Sequence, residues 1–272
     1  MPNLYTTRAQ VKARLGITVA DTTYDAILNA VIEAVSREID QYCGRWFYPV
    51  TQTRYFTPAS TRRILVDDLL AVTSLKTDED GDRTYETTWA AGDYDLMPLN
   101  ALLGSPPEPY WEIRTTPDGD YAFPCVARGV EIAGRWGYYD QRTTSTATLN
   151  EALDTTETGV DVSDGTQFEV GQTILIDSEQ MYISAIATNT LTVTRAVNGT
   201  TAATHSLGAA IQVYQYPIVS EACLYQAAFA FRAKDAPMGI VGGGDYSQQI
   251  RAVGLHPFVT RMLALFRRLA VG

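Results

Sequence analysis

Few residues of this sequence are placed to do chemistry. It holds two histidines, His205 and His256, which leaves almost no material for a histidine zinc site or a Ser-His-Asp relay. Cys43, Cys125 and Cys223 are odd in number and far apart, so they suit neither a disulfide framework nor a C-x-x-C knuckle and read as buried, reduced thiols. The run DEDGD at 78–82 alternates three carboxylates in the manner of a calcium loop. Such a loop needs glycine at its sixth position and glutamate at its twelfth. Arg83 and Trp89 stand there instead, and the run reads as a hairpin turn with Gly81 at the positive-φ position. Asp67 and Asp68, and Asp93 and Asp95, are the remaining carboxylate pairs, and a glycosidase needs two carboxyls facing each other across a cleft. Neighbours on a strand point to opposite faces, so Asp67-Asp68 is a poor acid/base pair and reads as a strand-ending turn. The triplet Gly242, Gly243, Gly244 lacks the Gly-Lys-Ser/Thr ending of a phosphate-binding loop and reads as a hinge. The sequence therefore predicts no catalytic residue, no metal and no cofactor.

The elements that would carry other functions are clearer. Residues 21–49 predict a long amphipathic helix passing into an aromatic strand. With Ile27 at zero on a helical wheel, Val31, Tyr42, Val35, Leu28, Ile39 and Ile32 form one apolar stripe. Asp21 or Thr22 is the expected N-cap and Gly44 the expected C-terminal stop. Thr6 or Thr7 is expected to cap a shorter helix ending at Gly16. After Pro49 come short strands (TQTRYF, RRILV, SLKTD, YDLMP, YWEIR, GVEIAGRWGYY) separated by turn residues. Pro217 opens a further helix, apolar nearly all round, and Pro257 a terminal one.

Composition divides the chain. The formal charge is −10 over 272 residues, which opposes generic attraction to nucleic acid. Between Thr143 and Tyr216 eight carboxylates face one basic residue, Arg195. This threonine-rich stretch, with short runs at GVDV, TILID, MYISAIA, LTVTR and AAIQVY between turn signals, predicts a small all-β, barrel-like module. The fold expected is α+β: a helical bundle with a small antiparallel β region over 1–140 and 217–272, interrupted by the β module at 141–216. No apolar run of signal-peptide or membrane-spanning type occurs, so synthesis and assembly in the cytoplasm are expected.

Three groups of residues are candidates for contacts. Ala26, Ala30 and Ala34 recur every fourth residue on the back of the long helix, a narrow row that lets another backbone approach. Phe229 and Phe231 lie on the helix after Pro217, which lacks a polar face and needs cover on two sides. These are candidate subunit-interface residues. On the terminal helix Phe258, Met262, Leu265, Phe266 and Leu269 are expected on one side, and Arg261, Arg267 and Arg268 on the other, where they suit the helix C-terminal dipole or an acidic partner.

The ordered series VKARLGI, AVIEAVSREIDQYCGRWFYP, RYF, ILVDDLLAVTSLKTDEDGDRTYETTW, DYDLMPLNA, PYWEIR and GVEIAGRWGY resembles the head–tail connector, or adaptor, family of tailed bacteriophages and related proviral elements. The resemblance covers roughly residues 4–139 and, more loosely, the two C-terminal helices; the β module departs from it. It implies a non-enzymatic virion protein forming a homo-oligomeric ring, dodecameric in that family, beneath the portal protein. Such a ring extends the DNA channel, lets double-stranded DNA pass without sequence-specific binding, and offers an attachment site to a downstream stopper or tail-completion protein. It also implies that the C-terminal segment, here Phe258, Arg261, Met262, Leu265, Arg267 and Arg268, docks on the portal.

Other readings remain. Another neck or tail-completion protein is the nearest, although the helix-first order and the long strand-free C-terminal portion speak against those mostly β proteins. A virion-associated hydrolase would need a carboxylate pair. A carbohydrate-binding module would need an aromatic platform, for which the β module offers only Phe168, Tyr182 and Tyr214.

Overall fold

The computed structural model describes residues 3–104, 107–117, 119–233, 240–241, 248–249 and 254–268. Residues 242–244, the expected hinge, and Leu269 lie outside the described residues. The chain divides into two compact units: Trp46–Asp140 with Asn198–Thr200, and Met1–Arg45 with Gln141–Val197 and Thr201–Gly272.

The first of these is built on a six-stranded antiparallel sheet. Its strands are β1 (Val50–Phe56), β2 (Arg63–Thr77), β3 (Thr87–Trp89), β4 (Tyr94–Met97), β5 (Tyr110–Thr115) and β6 (Val130–Trp136), in the order β1-β6-β2-β5-β4, with β3 paired to β2. Alternation along β6 puts Val130, Ile132 and Trp136 into a core with Leu69, Leu75 and Ile113. Burial of each such side chain stabilises the fold by about 1.5–3 kcal/mol. Trp136 is fully buried and donates its indole N–H to the Gln52 carbonyl at 2.9 Å. β2 is one strand of 15 residues, not two. Asp67 and Asp68 lie inside it, where register shifts carry the strand from its partner β5 to its partner β6. Gly134 sits opposite this irregular stretch. A Cβ there would lie 2.3 Å from the Ala71 carbonyl oxygen, so no other residue fits that approach. The 78–82 run joins β2 to β3 as a turn with Gly81 at φ 83°.

Among the described residues, the second unit contains four α-helices and another six-stranded antiparallel sheet. The strands are β7 (Arg142–Thr148), β8 (Gly159–Asp161), β9 (Thr173–Ile176), β10 (Glu179–Ala187), β11 (Thr190–Thr194) and β12 (Ala210–Tyr214), in the order β7-β12-β9-β10-β11-β8. Just beyond β7 and β8, Leu149 bridges Val162, and the Ser163 and Asn150 amides donate to the Thr148 and Asp161 carbonyls, so the two edges meet and the sheet closes on itself. Leu149, Val160, Ile174, Met181, Ile183, Leu191 and Ile211 fill its interior.

The helices are α1 (Arg8–Leu15), α2 (Asp25–Cys43), α3 (Pro217–Ala233) and α4 (Pro257–Leu263). Among the described residues none is long and apolar enough to cross a membrane. Thr7 and Gln10 form a reciprocal capping box on α1, and Gly16 ends it in the left-handed conformation. α2 starts later than the sequence suggests: Asp21 accepts the Thr23 amide in a local turn, and Tyr24 occupies the N-cap position without a side-chain cap. Gly44 ends α2 at φ 64°.

The expected helical bundle with a small β region is incorrect. Two six-stranded sheets dominate the chain, while α1 and α4 are only 8 and 7 residues long. Strands of 3 to 15 residues do not report how many of them share one sheet, whereas a 19-residue amphipathic helix is conspicuous.

Candidate assembly surfaces

The interior of the second unit fixes which helix faces remain outside. Leu28, Ile32, Val35, Ile39 and Cys43 of α2 are buried, with Ser36 among them. The Ser36 hydroxyl donates to the Ile32 carbonyl at 2.8 Å, accepts the Tyr5 amide at 3.3 Å and lies 3.5 Å from the Cys223 sulfur on α3. The centre of the buried stripe is thus rotated away from Ile27, which is exposed. Ala26, Ala30 and Ala34 are exposed on the opposite face. The row is therefore open to solvent in this chain.

Next to Ser36, Asp40 accepts a hydrogen bond from the Tyr5 hydroxyl and lies 3.3 Å from an Arg37 nitrogen. Burial pushes its carboxyl up to about 6, against the opposing effects of Tyr5 and Arg37. Burial likewise raises the Cys43 and Cys223 thiols to about 12, which leaves them protonated and inert. Cys125 is exposed.

α3 spends its apolar residues inside the chain. Phe231 is buried with its ring edge-on to Tyr24 at 5.4 Å, and Phe229 meets the His256 ring at 5.1 Å. Buried Gln226 ties α3 to the start of α4: its side-chain oxygen accepts the His256 amide at 2.9 Å and its nitrogen donates to the Gly254 carbonyl at 3.4 Å. His256 Nδ1 then accepts the Phe258 amide and serves as the N-cap.

The inward face of α4 is Val259, Leu263 and, on the following 3₁₀ turn, Phe266. Phe258 and Leu265 face solvent, Leu265 at 85% exposure, and Met262 is half-buried. The sequence expectation grouped Phe266 with Phe258, Met262 and Leu265, but the buried face is centred on Val259 and Leu263, and Phe266, seven residues after Val259, falls on that face. Arg261 lies over the Phe258 ring at 5.4 Å, Arg267 over the Tyr42 ring at 5.2 Å, and the Arg268 amide donates to the Cys43 carbonyl at 2.8 Å. The segment is clamped to the end of α2 from within and presents Phe258, Arg261 and Leu265 outward.

The closed sheet holds a charged cluster that the sequence reading missed. Glu179 and Arg195 pair through two parallel hydrogen bonds of 2.7 Å. Arg195 uses every remaining donor on backbone oxygens, those of Asp154, Glu157 and Ala203. Glu179 also accepts the Ala196 and Ala203 amides and lies 3.0 Å from His205 Nε2, while His205 Nδ1 lies 2.7 Å from Asp177. Burial alone would raise the Glu179 carboxyl. The hydrogen bonds from Arg195, Ala203, His205 and Ala196 outweigh it and bring the pKa down to about 2. The available signal was that Arg195 is the lone basic residue of an acidic stretch and His205 its lone histidine.

Other carboxylates are occupied locally. Asp67 pairs with Arg54 at 2.8 Å, and Asp93 accepts the Ala90 amide at 2.6 Å. Asp78, Asp80 and Asp82 lie together, but they accept amides of their own turn: those of Gly81 and Arg83 on Asp78, Asp82 on Asp80 and Thr84 on Asp82. Phe168 and Tyr214 are buried, which removes them from any exposed aromatic platform.

No protein-family model matches the sequence, and no curated protein matches it. Among solved structures, one similar chain is described as the neck of an empty GTA particle computed with C6 symmetry. It is 13% identical, the likeness covers 97% of this chain and 91% of that chain, and the TM-score is 0.43.

Proposed function

We propose that this chain is a structural, non-enzymatic neck protein of a tailed-phage-type virion, and within the neck the adaptor: a homo-oligomeric ring beneath the portal that extends the DNA channel and receives the tail-side stopper or completion protein. The ordered sequence resemblance over residues 4–139 supports this reading. The structural observation that carries it is the C-terminal segment, held from inside by Val259, Leu263 and Phe266 while Phe258, Arg261 and Leu265 are left outward. An apolar surface flanked by arginine suits a protein partner, since aromatic and arginine residues anchor such contacts. The exposed Ala26, Ala30 and Ala34 row suits close helix packing between subunits. A net charge of −10 suits a wall past which DNA slides without being held.

The decisive experiment is binding to the portal ring of the same particle. The adaptor reading expects direct binding that Leu265→Glu abolishes and that survives in a Leu207→Glu control, Leu207 being exposed far along the sequence in the β module. A second reading, a stopper or tail-completion protein, is favoured by the predominance of sheet, which removes the sequence argument against mostly β neck proteins. A protein of that kind would ignore the bare portal and bind only after an adaptor is in place.

A further inference from the structure

Two apolar features of this molecule are left without partners, one protruding and one concave. The protrusion follows β4. Leu99, Leu102 and Leu103 lie within five residues and are all exposed, Leu99 at 64% and Leu103 at 83%. The segment carrying them is not loose: the Ala101, Leu103, Gly104 and Glu108 amides donate to the Pro98, Asn100, Ala101 and Ala101 carbonyls, and Asn100 adopts the left-handed conformation. Backbone hydrogen bonds thus fix a knuckle whose leucines face water, a costly arrangement for a surface with no partner. Glu108 beside it is exposed and, among the described residues, makes no side-chain hydrogen bond or ion pair.

The concave feature belongs to the other unit. It is a groove of about 370 Å³ between α1 and the closed sheet, walled by Val19, Phe168, Val170 and Ile186. That volume suits an inserted side-chain cluster. Its charged lining is Arg8, Lys12 and Glu169. Lys12 spends its donors on the Val19 and Asp21 carbonyls and on Asp25, and Glu169 accepts the Thr7 hydroxyl. Arg8 meets Asp25 through Nε at 3.3 Å, leaving the outer nitrogens of its guanidinium for a further acid.

We infer that the groove of one copy receives the Leu99–Leu103 knuckle of a second copy, with Glu108 of the knuckle meeting Arg8. The contact joins different surfaces of two identical chains. It is therefore heterologous and propagates from copy to copy, closing into a ring when the rotation permits. The inference rests on the ring reading above for its biological setting, and it names the surfaces that make the ring.

The test uses full-length protein and sedimentation equilibrium at high micromolar concentration. Leu103→Glu spoils the knuckle, and Val19→Asp places a carboxylate in the groove facing Glu108. Both positions are exposed, Val19 at 68%, so neither change disturbs the core, and unchanged melting curves confirm it. Each variant alone is expected to dissociate, with a dissociation constant raised about 30-fold or more. Mixed in equal amounts, they are expected to form a dimer and nothing larger, because each retains the surface the other lost. Variants that assemble as the unsubstituted chain does would overturn the proposal while leaving the ring reading intact. A mixture that stays monomeric, or an unsubstituted chain that never self-associates, would overturn it too, and portal binding would then decide the ring reading separately.

Discussion

Glu179 in the closed sheet and Asp40 on α2 are both buried carboxylates, and their surroundings drive them in opposite directions. Glu179 accepts two hydrogen bonds from Arg195, two backbone amides and a contact from His205, which hold it ionised with a pKa of about 2. Asp40 has only the Tyr5 hydroxyl and one Arg37 nitrogen at 3.3 Å, too little to offset burial, and rises to about 6. The number of donors aimed at a buried charge decides its fate more than the depth of burial does. The same contrast holds for whole regions. The closed sheet pairs Glu179 with Arg195 inside the chain, while α2 and α4 leave small and apolar side chains exposed.

The largest expected effect comes from breaking the satisfied cluster. Glu179→Ala leaves Arg195 buried without its counter-charge and should cost about 3–5 kcal/mol. In thermal denaturation this corresponds to a melting temperature lowered by roughly 6–20 °C.

The pH dependence sharpens the comparison, because the two carboxylates contribute with opposite sign. The Glu179 pKa is depressed in the folded state, so its contribution is present above the ordinary value of 4.5 and lost as pH falls toward 2. That of Asp40 is raised, so its contribution is complete below the ordinary 3.8 and lost as pH rises through about 6. A shift of this size is worth on the order of 3 kcal/mol, less whatever solvent screening removes. Melting curves of the unsubstituted chain and Asp40→Asn between pH 4 and 7 should therefore converge at the acid end and separate as pH rises, the asparagine variant losing less. Parallel curves would contradict the raised carboxyl.

The smallest effects on stability are expected at the outward surfaces. Leu265→Glu should move stability by no more than about 0.5 kcal/mol while abolishing portal binding. Ala30→Trp should likewise leave the melting curve nearly unchanged and block ring formation, read by electron microscopy of the purified protein. An unaltered ring would remove the alanine row from the interface.

Much of the local structure was legible in the sequence. TILID and LTVTR became β9 and β11 because β-branched residues alternate between clear turns. Gly16 and Gly44 stop their helices, as left-handed residues do. What stayed hidden depended on partners distant in the chain. β7 reads RTTSTAT, with Ala147 its only buried hydrophobic residue, and it becomes a strand by pairing with β12. Asp67-Asp68 looked like a turn, yet β2 runs through it by changing its partner strand. Phe231 looked available for an interface and is instead covered by Tyr24 of its own chain. The Glu179 cluster joins residues up to 41 positions apart, a spacing that no local pattern reports.

The most direct test is electron microscopy of the full-length protein mixed with the portal ring of the same particle, with and without residues 256–272. The adaptor account predicts a second ring stacked coaxially on the portal, absent after the deletion. A monomer that ignores the portal with its C-terminal segment intact would contradict the account.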